Sequence, residues 1–207
     1  MVGGLEVDRN NQVLLLDGIE FLVRVFRGPV TEWCPDMISL GACQLAESCP
    51  DSLSGLKQTL MSIACMVPES EASEQWCAEQ EIHYVRLFIN AKDGIPAPPY
   101  ESCHVAGGEA VMGEPAVRMR QRLEREGLEP VGDSNEPPDH LCIELEYLYY
   151  LFSNARFSDA SAFARDVMLP WTRVFAQAVS GAEPDSLYDK SCTVLGMVLE
   201  AVAGASN

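Results

Sequence analysis

Apolar residues recur at intervals of three and four positions through most of the chain, a spacing typical of helices that bury one face. The first such run includes Leu16, Ile19 and Phe26, and Gly28-Pro29 stops it. Pro35 suits the first turn of a second helix, since a proline needs no N–H there. The pattern predicts helices over residues 13–26, 35–48, 52–65, 70–90, 114–126, 139–152, 158–178 and 184–202.

Two segments break this helical pattern. Residues 93–113 hold several prolines and the Gly107-Gly108 pair, which predicts a long irregular connection. Connections of this length are usually functional or disordered, and this one also carries Tyr100 and Cys103. Residues 128–136 form a second irregular stretch. Because strand alternation and repeats are missing, residues 1–207 are predicted to form a single globular all-α domain, with less distinctive helices before about residue 76.

The balance of charges narrows the classes of partner. Lys and Arg total 14 against 31 Asp and Glu, which gives a net charge of -17. Such a surface repels phosphate backbones and anionic lipid, so a basic peptide is a better expected partner than nucleic acid. Acidity also serves solubility alone, and charge by itself favours that simpler interpretation. The hydrophobic fraction of 47% is ample for a core without a disulfide or a metal.

The eight cysteines are scattered along the chain, and no Cys-x-x-Cys pair occurs. Several lie in apolar stretches, where a free thiol behaves as a small buried side chain. This usage favours a reducing compartment. The N-terminus lacks the basic start of a secretory signal, and the apolar run after Gln12 is interrupted by Asp17, Glu20 and Arg24. We therefore expect a cytoplasmic protein with no integral membrane segment.

Enzyme signatures are scarce. The chain has no Walker loop, no Gly-x-Ser-x-Gly elbow and no His-Glu-x-x-His pair. His140 and Glu144 lie one helical turn apart, so both could face a metal, with Cys103 and His104 as further ligands. These residues do not have the short spacings usual in a metal site. A helical metal-dependent enzyme is therefore only an alternative hypothesis.

The segment from Glu136 to His140 is the most informative motif. Its prolines, Pro137 and Pro138, stiffen the approach to a helix and lack N–H groups that a first turn leaves unpaired. Asp139 is predicted to lie in the first turn with its carboxylate available near the loop, which beside His140 suits recognition of a cation. A well-capped helix with no binding function explains the same residues, and physics alone favours that interpretation.

Further motifs accompany this segment along the chain. They are Tyr84-Val85-Arg86-Leu87-Phe88, Pro98-Pro99-Tyr100-Glu101-Ser102, Val111-Met112-Gly113-Glu114-Pro115, Glu144-Leu145-Glu146 and Leu169-Pro170-Trp171. With these motifs in this order, the chain from about Trp76 to Met197 resembles the TorD/DmsD/NarJ family of molybdoenzyme maturation chaperones, and its TorD/DmsD branch most. The last motif is similar to a turn in the penultimate helical region of that family.

The resemblance implies a TorD-like all-α fold and a function without catalysis. Such proteins bind the twin-arginine signal peptide and the apo form of a molybdopterin-dependent oxidoreductase, and they delay export until the cofactor is inserted. The resemblance implies no cofactor for the chaperone itself, although it brings weak guanine-nucleotide binding as a suggestion, and it leaves a homodimer open. The nearest alternative is a NarJ-type chaperone that assembles a non-exported molybdoenzyme subunit.

The resemblance also predicts a peptide-binding site with an apolar side, a rim loop and a set of acids. The residues of the apolar side are Tyr84, Leu87 and Phe88. The rim loop supplies Pro99, Tyr100 and Ser102, and the acid–histidine pair at the helix start is Asp139 and His140. Paired guanidinium groups need carboxylates, and the acids near the predicted site are Glu101, Glu136, Asp139 and Glu144.

Overall fold

The computed structural model describes residues 9–28, 35–68, 73–92, 94–105, 112–129 and 136–205. The helices in these ranges are α1 (Arg9–Phe26), α2 (Pro35–Ser48), α3 (Ser54–Ala64), α4 (Ser73–Tyr84), α5 (Glu101–His104), α6 (Glu114–Glu126), α7 (Leu141–Ser153), α8 (Phe157–Phe163), α9 (Leu169–Ala182) and α10 (Leu187–Ala203). A 3-10 turn, Asp51–Leu53, precedes α3, and π-helical segments follow α4 and α8. No β-strand occurs in the described residues, and the predicted all-α class is confirmed.

The ends of several helices follow from local sequence. α6 ends because Gly127 takes the left-handed conformation, with φ of 66°, and its N–H donates to Glu124 O. Ser186 caps α10 by accepting a hydrogen bond from the Asp189 N–H at 3.1 Å. The predicted bounds of α2 and α6 are confirmed, whereas α1 begins earlier than predicted and α3 begins later.

α1 is the central helix of the core. It packs against α2, α7 and α10, while α3 packs on both α2 and α10, so the first helices share a continuous apolar core with the later ones. At the end of α1, the ring of Phe26 meets the rings of Phe88 and Phe175 edge to face. Phe88 also contacts Tyr188. This aromatic cluster joins α1 to the end of α4, to α9 and to α10.

The first π-helical segment, Val85–Ile89, carries α4 into the irregular connection. Its wide turn is closed by the Asn90 N–H, which donates to Val85 O at 2.7 Å. Leu87 O accepts a further hydrogen bond from the N–H of Ala97 at 3.1 Å, and Ala97 is fully buried. The connection therefore folds back onto the helix end, which brings the start of α5 close to the core.

The second π-helical segment, Ala164–Met168, lies immediately before Leu169-Pro170. In a regular helix, a proline ring collides with the carbonyl four residues earlier and donates no N–H to it. That carbonyl belongs to Asp166, inside the wider π turn, which relieves the collision. The predicted helix over residues 158–178 is confirmed, because the chain stays helical from Phe157 to Ala182, and a π-helical segment stands in place of the turn that the resemblance implies near Leu169-Pro170-Trp171.

Neither a disulfide nor a membrane-spanning helix occurs in the described ranges. All seven cysteines in these ranges are free thiols, and Cys34 lies outside them. In the same ranges, no helix combines the length and the apolar content needed to cross a bilayer. The predicted irregular residues 106–111, with the Gly107-Gly108 pair, and residues 130–135 also lie outside the described part of the chain.

Candidate functional site

The loop at residues 98–102 and the segment at residues 136–141 lie side by side, and we call this region the motif junction. An isolated antiparallel bridge joins them. The Leu141 N–H donates to Pro99 O at 2.9 Å, and the Glu101 N–H donates to Asp139 O at 3.0 Å. Two motifs that are far apart in the sequence therefore form one backbone unit, as a shared site requires.

Asp139 fixes the start of α5. Its side chain is fully buried, and its Oδ2 accepts a hydrogen bond from the Ser102 N–H at 2.9 Å. Because N–H groups in a first helical turn have no partner within the helix, this carboxylate satisfies one of them. The prediction that Asp139 lies in the first turn of α7 with an available carboxylate is wrong. α7 begins at Leu141, and the carboxylate is inside the protein.

Asp139 and Ser102 each have a buried side-chain oxygen that makes no hydrogen bond. Asp139 Oδ1 and Ser102 Oγ are buried without a hydrogen-bond partner. A buried polar atom left unpaired costs about 1–3 kcal/mol, and native proteins keep few of them. The motif junction is therefore not arranged for stability alone.

His140 is the N-cap residue of α7. Its Nδ1 accepts a hydrogen bond from the Cys142 N–H at 3.1 Å, which requires an unprotonated Nδ1. Burial lowers the pKa of His140, although the carboxylates of Glu136 and Asp139 oppose the shift. The ring also meets Tyr100 edge to face, with the ring centroids 5.2 Å apart. His140 therefore caps α7 in its neutral form and supports the ring of Tyr100.

Glu101 on α5 and Glu144 on α7 form a buried carboxyl pair. Glu144 is fully buried, and its Oε2 accepts a hydrogen bond from Trp171 Nε1 at 2.9 Å. The second oxygens of the pair, Glu101 Oε2 and Glu144 Oε1, are buried without a hydrogen-bond partner, and the two carboxyl groups interact electrostatically. Burial raises the pKa of Glu144 well above its ordinary value, and the charge of Glu101 raises it further. Both effects favour the protonated form of Glu144, while Arg118, 3.4 Å from Glu101, compensates the charge of that carboxylate.

The exposed part of the motif junction, which we call the junction rim, consists of Tyr100, Glu136, Arg27 and Glu146. The Tyr100 hydroxyl donates a hydrogen bond to the exposed Glu136. Burial raises the pKa of Tyr100, and this hydrogen bond raises it further. Arg27 forms a surface ion pair with Glu146 and lies within electrostatic range of His140. The rim thus combines an aromatic ring with two exposed carboxylates, which suits a guanidinium group.

The predicted apolar side of the site lies mostly in the core. Leu87 and Phe88 are buried, so they do not line an open groove in this structure. Tyr84 is half-buried, its hydroxyl donates to Phe26 O at 3.3 Å, and burial raises its pKa to about 12. The spacing of apolar residues along a helix does not show which of them the rest of the protein covers. The large apolar side chains exposed on this helix are Ile82, Val85 and Ile89.

Three side chains that support the buried acids could not be assigned this role from the sequence. The motif at Trp171 predicts a turn, whereas the indole anchors Glu144 from α9. Arg118 shows a helical pairing with an acid on its own helix, but its contact with Glu101 on α5 has no sequence signal. His104, considered only as a metal ligand, stacks on the ring of Trp171.

The residues considered as metal ligands are engaged in other contacts. His140 Nδ1 is engaged by the backbone of α7, and Glu144 is bonded to Trp171 and Glu101. Across the described ranges, no group of three His, Cys, Asp or Glu side chains could hold a metal ion. The geometry therefore gives no support to a metal-dependent enzyme built on His140 and Glu144.

The helical fold as a whole is similar to that of a solved structure. A crystal structure of a candidate redox enzyme maturation protein from Archaeoglobus fulgidus matches with a TM-score of 0.54 and 26% sequence identity. The match covers 95% of this chain and 96% of that chain. Fold and site together define a protein similar to this maturation class.

A profile of the nitrate reductase delta subunit family matches residues 44–177, and the chain belongs to that family. It corresponds to the TorD/DmsD/NarJ family that the sequence motifs resemble. The predicted resemblance is thus confirmed, although the profile begins at residue 44 and not at about 76, and it ends at residue 177 and not at 197. Relatives are named Chaperone protein TorD. The Vibrio vulnificus protein is 29% identical over 121 residues, covering 53% of this chain and 55% of the relative. The Photobacterium profundum protein is 27% identical over 152 residues, covering 68% and 69%.

This chain spans about half the length of the Vibrio relative that it matches. The relatives are named as chaperones and not as enzymes, which agrees with the predicted function without catalysis.

Proposed function

We propose that this chain is a cytoplasmic maturation chaperone for a molybdopterin-dependent oxidoreductase. In this proposal it binds the twin-arginine signal peptide and the apo form of that enzyme and holds them until the cofactor is inserted. The observation that carries the proposal is the motif junction, where two motifs of the family form one surface. The names of the relatives and the family profile support the same function.

The junction rim is the proposed contact for the paired arginines. The exposed carboxylates of Glu136 and Glu146 can each accept hydrogen bonds from a guanidinium group. The ring of Tyr100 offers a face on which a guanidinium group stacks. A peptide arginine would replace Arg27 at Glu146, so the protein already contains one example of the interaction that we propose.

The buried acids position the rim in this proposal. Asp139 holds α5, and the pair of Glu101 and Glu144 joins α5 to α7. All three residues are buried, so their proposed function is to keep Tyr100 in place. A substitution at Asp139 therefore tests the structure of the loop more than a contact with the peptide.

Substitutions on the rim test the proposed contact. We expect Tyr100→Ala and Glu136→Gln each to weaken binding of a peptide with two adjacent arginines and an apolar stretch by about five- to tenfold. The reason is that the first removes the stacking surface and the second removes a charged acceptor. Calorimetric titration measures the affinity, and circular dichroism confirms that the helices are intact.

Glu200→Gln is the matched control for these rim variants, because it changes an exposed acid on α10 that pairs with Arg173. Its affinity for the peptide should equal that of the wild type. Unchanged affinity in both rim variants would remove the rim from the proposed site.

A second candidate function is the assembly of a non-exported molybdoenzyme subunit. The observation that favours it is the family profile, which describes a nitrate reductase delta subunit. The same titration separates the candidates. If the protein does not bind the twin-arginine peptide but binds an apo catalytic subunit that has no signal peptide, it has this second function.

A further inference from the structure

A groove runs between α1 and α2, away from the motif junction. It encloses a cavity of about 260 Å³, and its floor is formed by Phe21, Ile38 and Leu45, which are buried. On α2, Met37 lines the groove and is 41% exposed, and Leu40, three residues further along the helix, is 60% exposed. Adjacent exposed apolar side chains of this size are typical of a surface that contacts another molecule.

Gly41 gives the groove its depth. A glycine inside a helix costs about 0.5–1 kcal/mol relative to alanine. An alanine would fit at this position, because an added Cβ would lie 3.4 Å from Cδ2 of Phe21, which is an ordinary contact. No steric reason among the described residues therefore requires the glycine. Its effect is to leave the space above Phe21 open.

The α1 wall of the groove carries a carboxylate that lacks a cation. Asp17 and Glu20 both line the groove, and Glu20 pairs with Arg24. No Lys, Arg or His of the described ranges forms an ion pair with Asp17. Burial raises the pKa of Asp17, and the charge of Glu20 raises it further, so the negative charge at this position is poorly compensated.

Charge also decides between two classes of occupant. The groove is lined by Asp17, Glu20 and Arg24, and Arg24 pairs with Glu20, so Asp17 leaves it with a net negative charge. The chain has a net charge of -17, so a second copy would bring more negative charge to it. A basic partner would supply the cation that Asp17 lacks. Two helical walls favour a helix as the inserted element, because its side-chain ridges fit the space between them.

We propose that the groove between α1 and α2 docks a short basic amphipathic helix of a partner protein. The lining positions on α2 run from Met37 to Ser48, roughly 16 Å at 1.5 Å per residue, which matches about three helical turns. Apolar side chains of the partner fill the space above Phe21, and a Lys or Arg meets Asp17. The proposal does not rest on the proposed function, because none of these residues belongs to the motif junction.

Fluorescence anisotropy tests this proposal with a labelled, capped peptide of about fourteen residues that carries leucines on one helical face and lysines on the other. We expect the wild type to bind it and Gly41→Leu to bind at least about tenfold more weakly, because leucine fills the groove. Asp17→Asn should weaken binding about three- to fivefold through loss of an ion pair. A peptide with glutamates in place of the lysines should not bind.

Matched variants keep the test independent of folding. Gly196→Ala changes another helix glycine, on α10, that has open space around it, and it should bind like the wild type. Gly41→Ala should be at least as stable as the wild type and bind about threefold more weakly. Absence of binding by the wild type, or equal affinity in the wild type and Gly41→Leu, would overturn the proposal.

Two further measurements exclude the other occupants. If sedimentation shows a wild-type dimer that Gly41→Leu converts to a monomer, the groove belongs to a second copy and the proposal is wrong. Titration of Gly41→Leu with the twin-arginine peptide should give wild-type affinity. A large loss there would assign the groove to the signal peptide, whereas a failure confined to Tyr100→Ala and Glu136→Gln concerns only the proposed function.

Discussion

The buried carboxyl group of Glu144 lies beside Glu101 of the motif junction and couples the stability of the fold to pH. Burial raises the pKa of Glu144 well above its ordinary value of 4.5, so the folded chain keeps a proton that the unfolded chain releases. The stabilisation is fully present at or below the unfolded pKa. It is lost as pH rises towards the folded pKa, by up to about 1.4 kcal/mol per pH unit.

Glu144→Gln is expected to remove this dependence, because an amide oxygen still accepts the hydrogen bond from Trp171 while the side chain has no proton to lose. Denaturant unfolding between about pH 5 and 8 should show the variant gaining stability relative to the wild type as pH rises. Glu146→Gln, which changes an exposed carboxylate on the same helix, should keep the wild-type pH dependence. Parallel stability curves for the wild type and Glu144→Gln would show that Glu144 is ionised.

At the scale of residues, the sequence predicts the grouping of the site better than its exposure. The resemblance carries the loop at residues 98–102 and the pair of Asp139 and His140, and the structure places them together. It cannot tell that Asp139 is inside and that Glu136 is outside. The partner of Glu144 depends on where α9 crosses α7, and no local pattern encodes that crossing.

The end of α1 shows how one residue fixes the position of a neighbouring helix. Gly28 has a φ of 84°, and an added Cβ would lie only 2.5 Å from the ring of Tyr84 on α4. That ring is held by the hydrogen bond to Phe26 O and by the rings of Phe88 and Tyr188. The ring cannot move away without disturbing the aromatic cluster. The end of α1 therefore approaches α4 this closely only because Gly28 has no side chain.

Gly28→Ala and Gly127→Ala form a matched pair, since both residues have a left-handed φ but only Gly28 faces a ring. We expect Gly127→Ala to lower the free energy of unfolding by about 1–2 kcal/mol through backbone strain alone. Gly28→Ala should cost about 1–3 kcal/mol more, because overpacking against Tyr84 adds to the strain. Denaturant unfolding measures both values. Equal losses would mean that the ring of Tyr84 yields easily.

At the scale of elements, helix ends are predictable where one residue decides them. Gly127 ends α6 and Gly28 follows α1 for reasons that the sequence states directly. The π-helical segments are different, because the one before Pro170 replaces a predicted turn. A proline marks strain in a helix, but only the packing of α8 and α9 decides whether the strain produces a turn or a wider helical segment.

The molecule as a whole is an acidic helical protein in which the motifs at residues 98–102 and 136–140 lie side by side. Its net charge of -17 attracts any basic peptide, so binding of a basic peptide alone would not demonstrate specificity. Specific recognition requires the planar guanidinium group, which pairs with a carboxylate through two hydrogen bonds and stacks on an aromatic ring. Glu136, Glu146 and Tyr100 of the junction rim provide these groups.

The most direct measurement of this claim is a pair of calorimetric titrations of the wild type. The first uses the twin-arginine peptide, and the second uses the same peptide with both arginines replaced by lysines. Charge and the apolar stretch are equal in the two peptides, so only the guanidinium geometry differs. The proposed function predicts that the lysine peptide binds at least about tenfold more weakly. Equal affinities, or no binding of the arginine peptide, would contradict it.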